Sequence, residues 1–280
     1  MFSIKYLVQK SNYFIKKREK EILLAHIIDK PREFIIAHPE YQLSFWQWLK
    51  FKYYLHKRKN NYPIAYLIGS KEFYELEFEV NKNVLVPRPE TELLVKKAIE
   101  EIKSNEENIL LIDIGTGCGC IPISILKNTK LEQAIAIDIS KKALTVAKKN
   151  AKRHKVKIDF RHGHLVEPVK SNINKNQNII ITANLPYVTK EQFKSEPSIQ
   201  QEPKQSLVAE DGGLEYYKKL IEQIYEMKFD EKNIILFFEI NPKQSEKIKK
   251  IIANYLPEAK IDIKTDLQKR ERLIKVKYFS

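Results

Sequence analysis

Cysteine is scarce in this chain of 280 residues, which has only Cys118 and Cys120. With one residue between them, the two are too close for an ordinary intrachain disulfide. Their spacing also does not match that of paired zinc ligands. We therefore expect reduced thiols that pack as small residues, with no metal site and no redox role.

Long hydrophobic runs are also missing. No apolar run approaches the roughly 20 residues of a transmembrane helix, and residues 1–8 show no signal-peptide core followed by a cleavage site. The hydrophobic fraction of 43% is still ample for a packed core, and 31% of the residues are charged. We expect a cytoplasmic protein without membrane association.

Acidic residues are outnumbered, with 36 Asp and Glu against 50 Lys and Arg, which gives a formal net charge of +14. This excess favours an anionic partner, such as nucleic acid or a ribosome-bound complex. The basic residues are spread along the chain, however, so a compositional bias and solvated helix faces also explain them. Direct nucleic-acid binding is compatible with this charge but not required by it.

Residues 1 to about 70 show helical periodicity of apolar residues. Ser44 is a suitable N-cap for one of these helices. Trp46, Leu49 and Tyr53 form one stripe on that helix, and aromatic residues at helical spacing usually belong to a core. We predict a small helical bundle that buries this stripe and carries no chemistry of its own.

A β-hairpin is predicted after the bundle. Phe73–Val80 partly alternates between apolar and polar residues, residues 81–83 have turn composition, and Val84–Val86 is apolar again. We place a hairpin linker at residues 71–88 and a second domain at 89–280.

From residue 109 onward, strands and helices alternate. Predicted strands lie at 109–114, 134–137, 158–160, 178–183, 233–238, 260–264 and 272–278. Continuous apolar strands are typical of a sheet covered on both faces. The alternation predicts an α/β fold with a doubly wound, mostly parallel sheet.

A glycine-rich loop follows the first of these strands. It consists of Gly115, Thr116, Gly117, Cys118 and Gly119. Glycine lets the backbone approach a ligand closely. The dinucleotide fingerprint would need glycine at position 120, and the P-loop Lys-Ser/Thr pair is absent.

Asp138 ends the next strand, where a carboxylate can hold both hydroxyls of a ribose. Together with the loop, it indicates an adenosine ligand without a pyrophosphate, and S-adenosylmethionine fits. Asp113, which precedes the loop, could orient the loop amides or meet the amino group of the donor. Alternatively, Asp113 only satisfies nearby backbone N–H groups.

Asn184, Leu185, Pro186 and Tyr187 follow the strand at 178–183, at the sheet edge where α/β proteins bind ligands. The Asn184 side-chain oxygen can accept one N–H of a planar NH2 group, and the Leu185 carbonyl, stiffened by Pro186, can accept the other. Tyr187 can stack on the planar group. The plainer alternative is a strand followed by a proline turn.

These residues resemble the release factor glutamine methyltransferase family. The resemblance covers nearly the whole chain, at Pro63–Gly69, Val86–Glu92, Asp113–Gly119, Asp138, Asn150-Ala151, Asn184–Tyr187 and Glu202-Pro203. The stretch Pro87–Glu92 is the most specific, because most unrelated methyltransferases lack it. The resemblance implies a class I S-adenosylmethionine-dependent methyltransferase fold, with a Rossmann-like seven-stranded sheet and an N-terminal substrate-recognition domain.

The resemblance also implies a reaction and its site. The methyl group of S-adenosylmethionine goes to the side-chain amide nitrogen (N5) of the glutamine in the GGQ motif of class 1 peptide chain release factors. Residues 115–119, Asp138, Leu165 and Asn184 bind the donor. Residues 184–187 hold the glutamine, with Asn184, Pro186 and Tyr187 as catalytic residues. We expect a monomer whose partner is the release factor.

Two positions depart from the family pattern. Leu185 stands where a second proline is usual, which leaves the clamp carbonyl in place on a less rigid loop. His164 stands where an aspartate is usual, so the adenine amine loses a charged acceptor. A neutral imidazole replaces that acceptor in only one tautomer.

Three alternatives stay open. Asn-Leu-Pro-Tyr also resembles the motif of ribosomal RNA adenine dimethyltransferases, which suggests a nucleic-acid adenine N6-methyltransferase. A glutamine of a ribosomal protein is another substrate that the sequence separates poorly from a release factor. The third is a non-catalytic module that binds through its helical bundle, against which the glycine loop, Asp138 and Asn184 argue.

Overall fold

Two units form in the computed structural model of the chain, which describes residues 2–10, 15–105, 108–169, 178–227 and 233–279. One unit comprises Met1–Ser70 and Glu196–Gln201, and the other comprises Lys71–Ser195 and Glu202–Ser280. The sequence does not predict that residues 196–201 group with the first unit. Within the described ranges, no helix has the length and apolar character needed to span a bilayer.

The first unit is helical, as predicted. Its helices are α1 (Ile4–Lys10), α2 (Lys17–Ile28), α3 (Arg32–Ala37), α4 (Phe45–Lys59) and α5 (Ile64–Ile68). The core of the unit contains Leu23 and Leu24 of α2 and Phe51 of α4, all fully buried. Ser44 caps α4 in a capping box, because its Oγ accepts from Gln47 N at 3.2 Å and its own N–H donates to Gln47 Oε1 at 2.9 Å.

The predicted burial of the aromatic stripe on α4 is wrong. Trp46 is 74% exposed, Tyr53 54% and Leu49 45%. The face that packs inward carries Phe51 and Leu55 instead. Helix α4 has apolar residues on two faces, and the neighbouring helices bury only one of them, so periodicity alone could not select the correct one.

The hairpin exists, but its predicted turn is wrong. Strands β1 (Ser70–Phe73) and β2 (Leu76–Glu79) form a two-stranded sheet, and Val84–Val86 is not a strand. Tyr74 and Glu75 form the turn with φ of 49° and 61°. Such turns usually carry Asn-Gly or Asp-Gly, so the pair Tyr-Glu gives no turn signal in the sequence.

The second unit contains the predicted seven-stranded sheet. Its strands are β3 (Ile109–Ile114), β4 (Gln133–Asp138), β5 (Lys157–His162), β6 (Asn178–Ala183), β7 (Asn233–Glu239), β8 (Lys260–Thr265) and β9 (Glu271–Phe279). The order is β5-β4-β3-β6-β7-β9-β8. The first five strands are parallel, and β9 is antiparallel to both β7 and β8. The doubly wound, mostly parallel sheet is thereby confirmed.

Helices connect these strands. They are α6 (Thr91–Ser104), α7 (Cys120–Asn128), α8 (Lys141–His154), α9 (Lys190–Ser195), α10 (Glu215–Glu226) and α11 (Ser245–Tyr255). Their apolar faces and the apolar strands share a core in which Ile112, Ile181 and Leu236 are almost fully buried. Helix α8 also holds the hairpin, because the Asn150 side chain pairs with the N–H and C=O of Glu79 at 2.8 and 3.0 Å.

The order of the strands creates a crevice between β3 and β6. Strands β4 and β5 lie on one side of β3, and β6 and β7 lie on the other. Open α/β sheets bind ligands at such a reversal, outside the carboxyl ends of the strands. Ile114 pairs with Ala183 across the two strands. The residues that follow them, Gly115 and Asn184, therefore leave the sheet side by side.

Candidate active site

A cleft of about 820 Å³, which includes space open to solvent, lies at the reversal of strand order. Its lining includes seven of the predicted site residues, namely Gly115, Gly117, Asp138, Leu165, Asn184, Leu185 and Pro186. Four others do not line it. Thr116, Cys118 and Gly119 are buried in the loop, and Tyr187 lies partly buried after Pro186.

Asp138 holds the glycine loop from the end of β4. Its Oδ2 accepts the Gly117 N–H at 2.9 Å, and its Oδ1 accepts the Ser140 N–H at 2.8 Å. Burial raises the pKa of Asp138, and these two N–H groups oppose the rise. Each oxygen retains capacity for a further hydrogen bond. The carboxylate therefore fixes the loop and can accept hydroxyl groups in the cleft.

Asp113 is fully buried and does not line the cleft. Its Oδ1 accepts the hydroxyl of Thr182, its neighbour on β6, at 2.7 Å. Its Oδ2 and the hydroxyl of Thr116 have no hydrogen-bond partner of normal geometry among the described residues. Burial raises the pKa of Asp113 to about 7. Asp113 thus bonds to a side chain of the adjacent strand, whereas the sequence predicts contacts with backbone N–H groups or with the amino group of the donor.

The Asn184 side chain is anchored by two groups that the sequence does not identify. Its Nδ2 donates to Glu239 Oε2 at 3.0 Å and to Thr91 Oγ1 at 3.1 Å. Both N–H groups are therefore used, and Oδ1 remains as an acceptor. Glu239 ends β7 as Asp138 ends β4, so an acidic residue at a strand end is the signal that could have found it.

The Leu185 carbonyl lies in the same polar network. The hydroxyl of the fully buried Tyr217 lies 3.4 Å from Leu185 O and donates to the backbone carbonyl of Glu239. The Leu185 side chain is buried, and its Cδ2 would be 3.3 Å from a Cβ added to Gly115. The leucine thus packs against the glycine loop, and Gly115 leaves space for it.

Sequence comparison identifies the family. The PrmC N-terminal domain model matches residues 7–69, and a methyltransferase domain model matches residues 95–192. The release factor glutamine methyltransferase of Bacillus cereus is 31% identical over 258 residues, which cover 91% of this chain and 90% of the relative. That of Mycoplasma mycoides subsp. mycoides is 32% identical and covers 100% of this chain and 99% of its own length.

This chain belongs to the release factor glutamine methyltransferase family.

Solved structures agree on the fold. The N-terminal domain of human METTL16 in complex with SAH has a TM-score of 0.54 at 15% identity, with 92% of this chain and 94% of that chain covered. A methyltransferase from Pyrococcus furiosus has a TM-score of 0.52 at 15% identity, with 81% and 98% covered. The class I methyltransferase fold is confirmed.

The family stretch Pro87–Glu92 supports the site through two of its residues. Arg88 forms an ion pair with the buried Glu202, whose Oε2 also accepts the Val86 N–H at 3.0 Å. Pro203, which follows Glu202, lines the cleft. Thr91 receives the Asn184 amide, as described above. The arginine between two prolines is therefore explained by a contact 114 positions away in the sequence.

The second departure from the family pattern also lies in the cleft. His164 and Leu165 both line it. Leu165 has a φ of 51°, which is uncommon for a leucine, and its side chain is buried. His164 Nδ1 lies 3.8 Å from Glu167 Oε1. A glutamate thus stands beside the imidazole that replaces the usual aspartate.

Tyr187 is fixed at both ends. Its hydroxyl lies 3.5 Å from Glu239 Oε1, and its carbonyl accepts from Gln244 Nε2 at 3.1 Å. Gln244 Nε2 also donates to Gly212 O at 2.8 Å. Burial, together with the neighbouring Glu239, raises the pKa of Tyr187. The end of the Asn184–Tyr187 segment is therefore bound to the loop that contains Gly212 and Gly213.

We expect Gly213→Ala to lower the free energy of unfolding by at least about 3 kcal/mol. An added Cβ would lie 2.2 Å from Tyr187 O and 2.3 Å from Gln244 Nε2. Gly212→Ala is the matched control, because Gly212 also has a positive φ but an open environment, and it should cost about 1 kcal/mol. Urea unfolding measures both. Equal losses would contradict a fixed Tyr187 carbonyl.

Proposed function

We propose that this protein transfers the methyl group of S-adenosylmethionine to the side-chain amide nitrogen (N5) of the glutamine in the GGQ motif of class 1 peptide chain release factors. The observation that carries the proposal is the Asn184 side chain, whose two N–H groups are used within the protein. Its remaining oxygen lies at the strand reversal, where an amide NH2 needs an acceptor. The release factor substrate is inferred from the names of the relatives, which are release factor glutamine methyltransferases.

The cleft fits the donor chemically. Asp138 has the acceptor capacity for two ribose hydroxyls while it holds the loop at Gly117. Positive φ values at Gly115, Gly117 and Gly119 turn the loop backbone in a way that side chains resist. Leu165 would lie near the adenine. When bound, the donor supplies a methyl group on a strongly electrophilic sulfonium.

Placement of the substrate amide is then the main task of the protein. An amide nitrogen is a poor nucleophile, because its lone pair is delocalised into the carbonyl. Asn184 Oδ1 and the Leu185 carbonyl would accept its two N–H groups and aim the nitrogen at the methyl group. Such positioning can supply roughly 7–11 kcal/mol of the barrier.

The other residues of the segment complete the substrate site. Pro186 limits the backbone freedom of the Leu185 carbonyl. Tyr187 would stack on the planar amide. As the N–CH3 bond forms and the S–CH3 bond breaks, the two acceptors would draw positive charge from the nitrogen. Its proton would then leave to water, and S-adenosylhomocysteine would be the second product.

The proposal also covers the roles of the domains, the oligomeric state and the cellular location. We assign residues 1–70 to substrate recognition, residues 71–88 to a hairpin linker and residues 89–280 to catalysis. The enzyme acts as a monomer in the cytoplasm, where its protein substrate works.

An adenine N6-methyltransferase of nucleic acid is the second candidate, favoured by the net charge of +14 and by Leu185. The test is transfer of labelled methyl from S-adenosylmethionine to purified release factors, their Gln-to-Ala GGQ variants, ribosomal proteins and bulk RNA. We expect label only on release factors that keep the glutamine. Label on RNA and none on protein would refute the proposal.

A further inference from the structure

An asparagine side chain can offer a substrate either its oxygen or its NH2 group, and the two ends have nearly the same shape. For an amide NH2 substrate only the oxygen is useful. If the Asn184 amide rotated by 180°, its NH2 group would face the NH2 group of the substrate, and neither could accept a hydrogen bond. A site that depends on Asn184 therefore needs a neighbouring group that fixes the orientation of the Asn184 side chain.

We infer that Glu239 is this group, a positioning residue that keeps Asn184 Oδ1 turned toward the substrate. The inference rests on the proposed function. An ionised carboxylate can only accept hydrogen bonds, and Glu239 Oε2 lies 3.0 Å from Asn184 Nδ2. The end of Asn184 that faces Glu239 must therefore be the donor, which leaves the oxygen on the other side.

Thr91 helps Glu239 to fix the orientation of the Asn184 side chain. Its Oγ1 accepts the second Asn184 N–H at 3.1 Å, and the nearby hydroxyl group helps to lower the pKa of Glu239. With both N–H groups held, rotation of the Asn184 amide would break two hydrogen bonds at once. Thr91 belongs to Pro87–Glu92, so the stretch that distinguishes the family supports the orientation of Asn184.

The burial of Glu239 supports a functional role for it. The residue is 1% exposed, and burying a carboxylate costs free energy that an apolar residue would avoid. Burial raises the pKa of Glu239 to about 7, while Thr91 and Arg272 oppose the rise and Glu90 adds to it. Strongly shifted groups of this kind cluster at functional sites.

Protonation of Glu239 would let the Asn184 side chain adopt either orientation. A carboxylic acid carries a donor, and that donor can bond to Asn184 Oδ1 in the reversed orientation. The rate of methyl transfer should therefore fall as pH decreases through about 7. The pKa of Glu239 also depends on the groups around it, namely Thr91, Arg272, Glu90 and Tyr187. Glu239 in turn raises the pKa values of Tyr217 and Cys120.

The test is Glu239→Gln, which keeps the shape but lets the new amide pair with Asn184 in either orientation. We expect kcat to fall by about 10- to 100-fold, by analogy with residues that orient metal ligands through a hydrogen bond. The affinity for S-adenosylmethionine should change by less than about twofold, and the decline of kcat toward acid pH should flatten. Glu246→Gln, an exposed carboxylate on α11, is the matched control and should behave as the wild type.

Two further measurements separate positioning from structural support. The melting temperature of Glu239→Gln at about pH 8 should not fall below that of the wild type, since ionising a carboxyl with a raised pKa destabilises the folded state. Nuclear magnetic resonance of the Asn184 side-chain NH2 should show slow hydrogen exchange in the wild type and faster exchange in the variant. Thr91→Val, which keeps the carboxylate, should give a smaller loss of kcat.

Wild-type kcat and an unchanged acid limb in Glu239→Gln would overturn the inference, and so would Asn184 NH2 exchange that is unaffected. Failure of the proposed function is recognised separately, because the wild-type protein would then transfer no methyl group to a release factor. The exchange measurement on Asn184 requires no substrate and tests the orientation in either case.

Discussion

Methyl transfer falls by about 1,000-fold or more in Asn184→Ala, according to the proposed mechanism. The variant lacks the oxygen that accepts the substrate N–H, and the substrate amide loses its alignment. The fold should largely survive, because Glu239, with a pKa of about 7, can take up a proton when it loses the Asn184 donor. Donor binding should weaken only modestly.

Single-turnover transfer to a release factor, together with calorimetry of donor binding, tests this prediction. Asn254→Ala is the matched control, because Asn254 is exposed on α11 and does not line the cleft. Asn184→Asp is an informative second variant. It keeps an outward oxygen but sets a second carboxyl group where Nδ2 lay 3.0 Å from Glu239, so the two carboxyl groups would share one proton. Because the outward oxygen remains, methyl transfer should fall less than in Asn184→Ala. Turnover of Asn184→Ala within about tenfold of the wild type would contradict the clamp.

The second large effect concerns donor affinity in Asp138→Ala. We expect the Kd for S-adenosylmethionine to rise by about 100-fold or more, since hydrogen bonds to a charged group contribute about 1.5–3 kcal/mol each. The variant loses the acceptor for the ribose hydroxyls. It also frees the Gly117 N–H, so the loop that approaches the donor is no longer held.

Calorimetric titration with S-adenosylmethionine or its product measures the change. Asp138→Asn should lie between wild type and alanine, because its single carbonyl oxygen can replace only one of the two acceptors. Asp159→Ala is the control, an exposed aspartate of β5 paired with Arg161, and should bind normally. A Kd for Asp138→Ala within about threefold of the wild type would remove Asp138 from the donor site.

The parts of the fold that the sequence predicts correctly are mainly those with continuous apolar runs. The sequence predicts strands β3 and β6 at their observed limits, since buried parallel strands are apolar on both faces. The turn at Tyr74-Glu75 could not be predicted, because neither residue is a usual turn former at positive φ. The exposed face of α4 could not be predicted either, since helical periodicity identifies apolar faces but not the neighbour that covers each one.

The site shows the same division between local and distant information. The glycine loop, Asp138 and Asn184 can be recognised because each lies at the carboxyl end of a strand that the sequence reveals. The partners of Asn184 were not, since Glu239 is 55 positions away and Thr91 is 93. Contacts of that kind depend on the order of strands in the sheet, which one sequence does not specify.

The central claim is that a glutamine side-chain amide receives the methyl group. Its most direct test is peptide mapping by mass spectrometry of a class 1 release factor after incubation with this protein and S-adenosylmethionine. The account predicts one added methyl group, located by fragmentation on the side-chain nitrogen of the GGQ glutamine, and none with Asn184→Ala. A methyl group on another residue, or an unmodified release factor alongside methylated adenine in RNA, would contradict it.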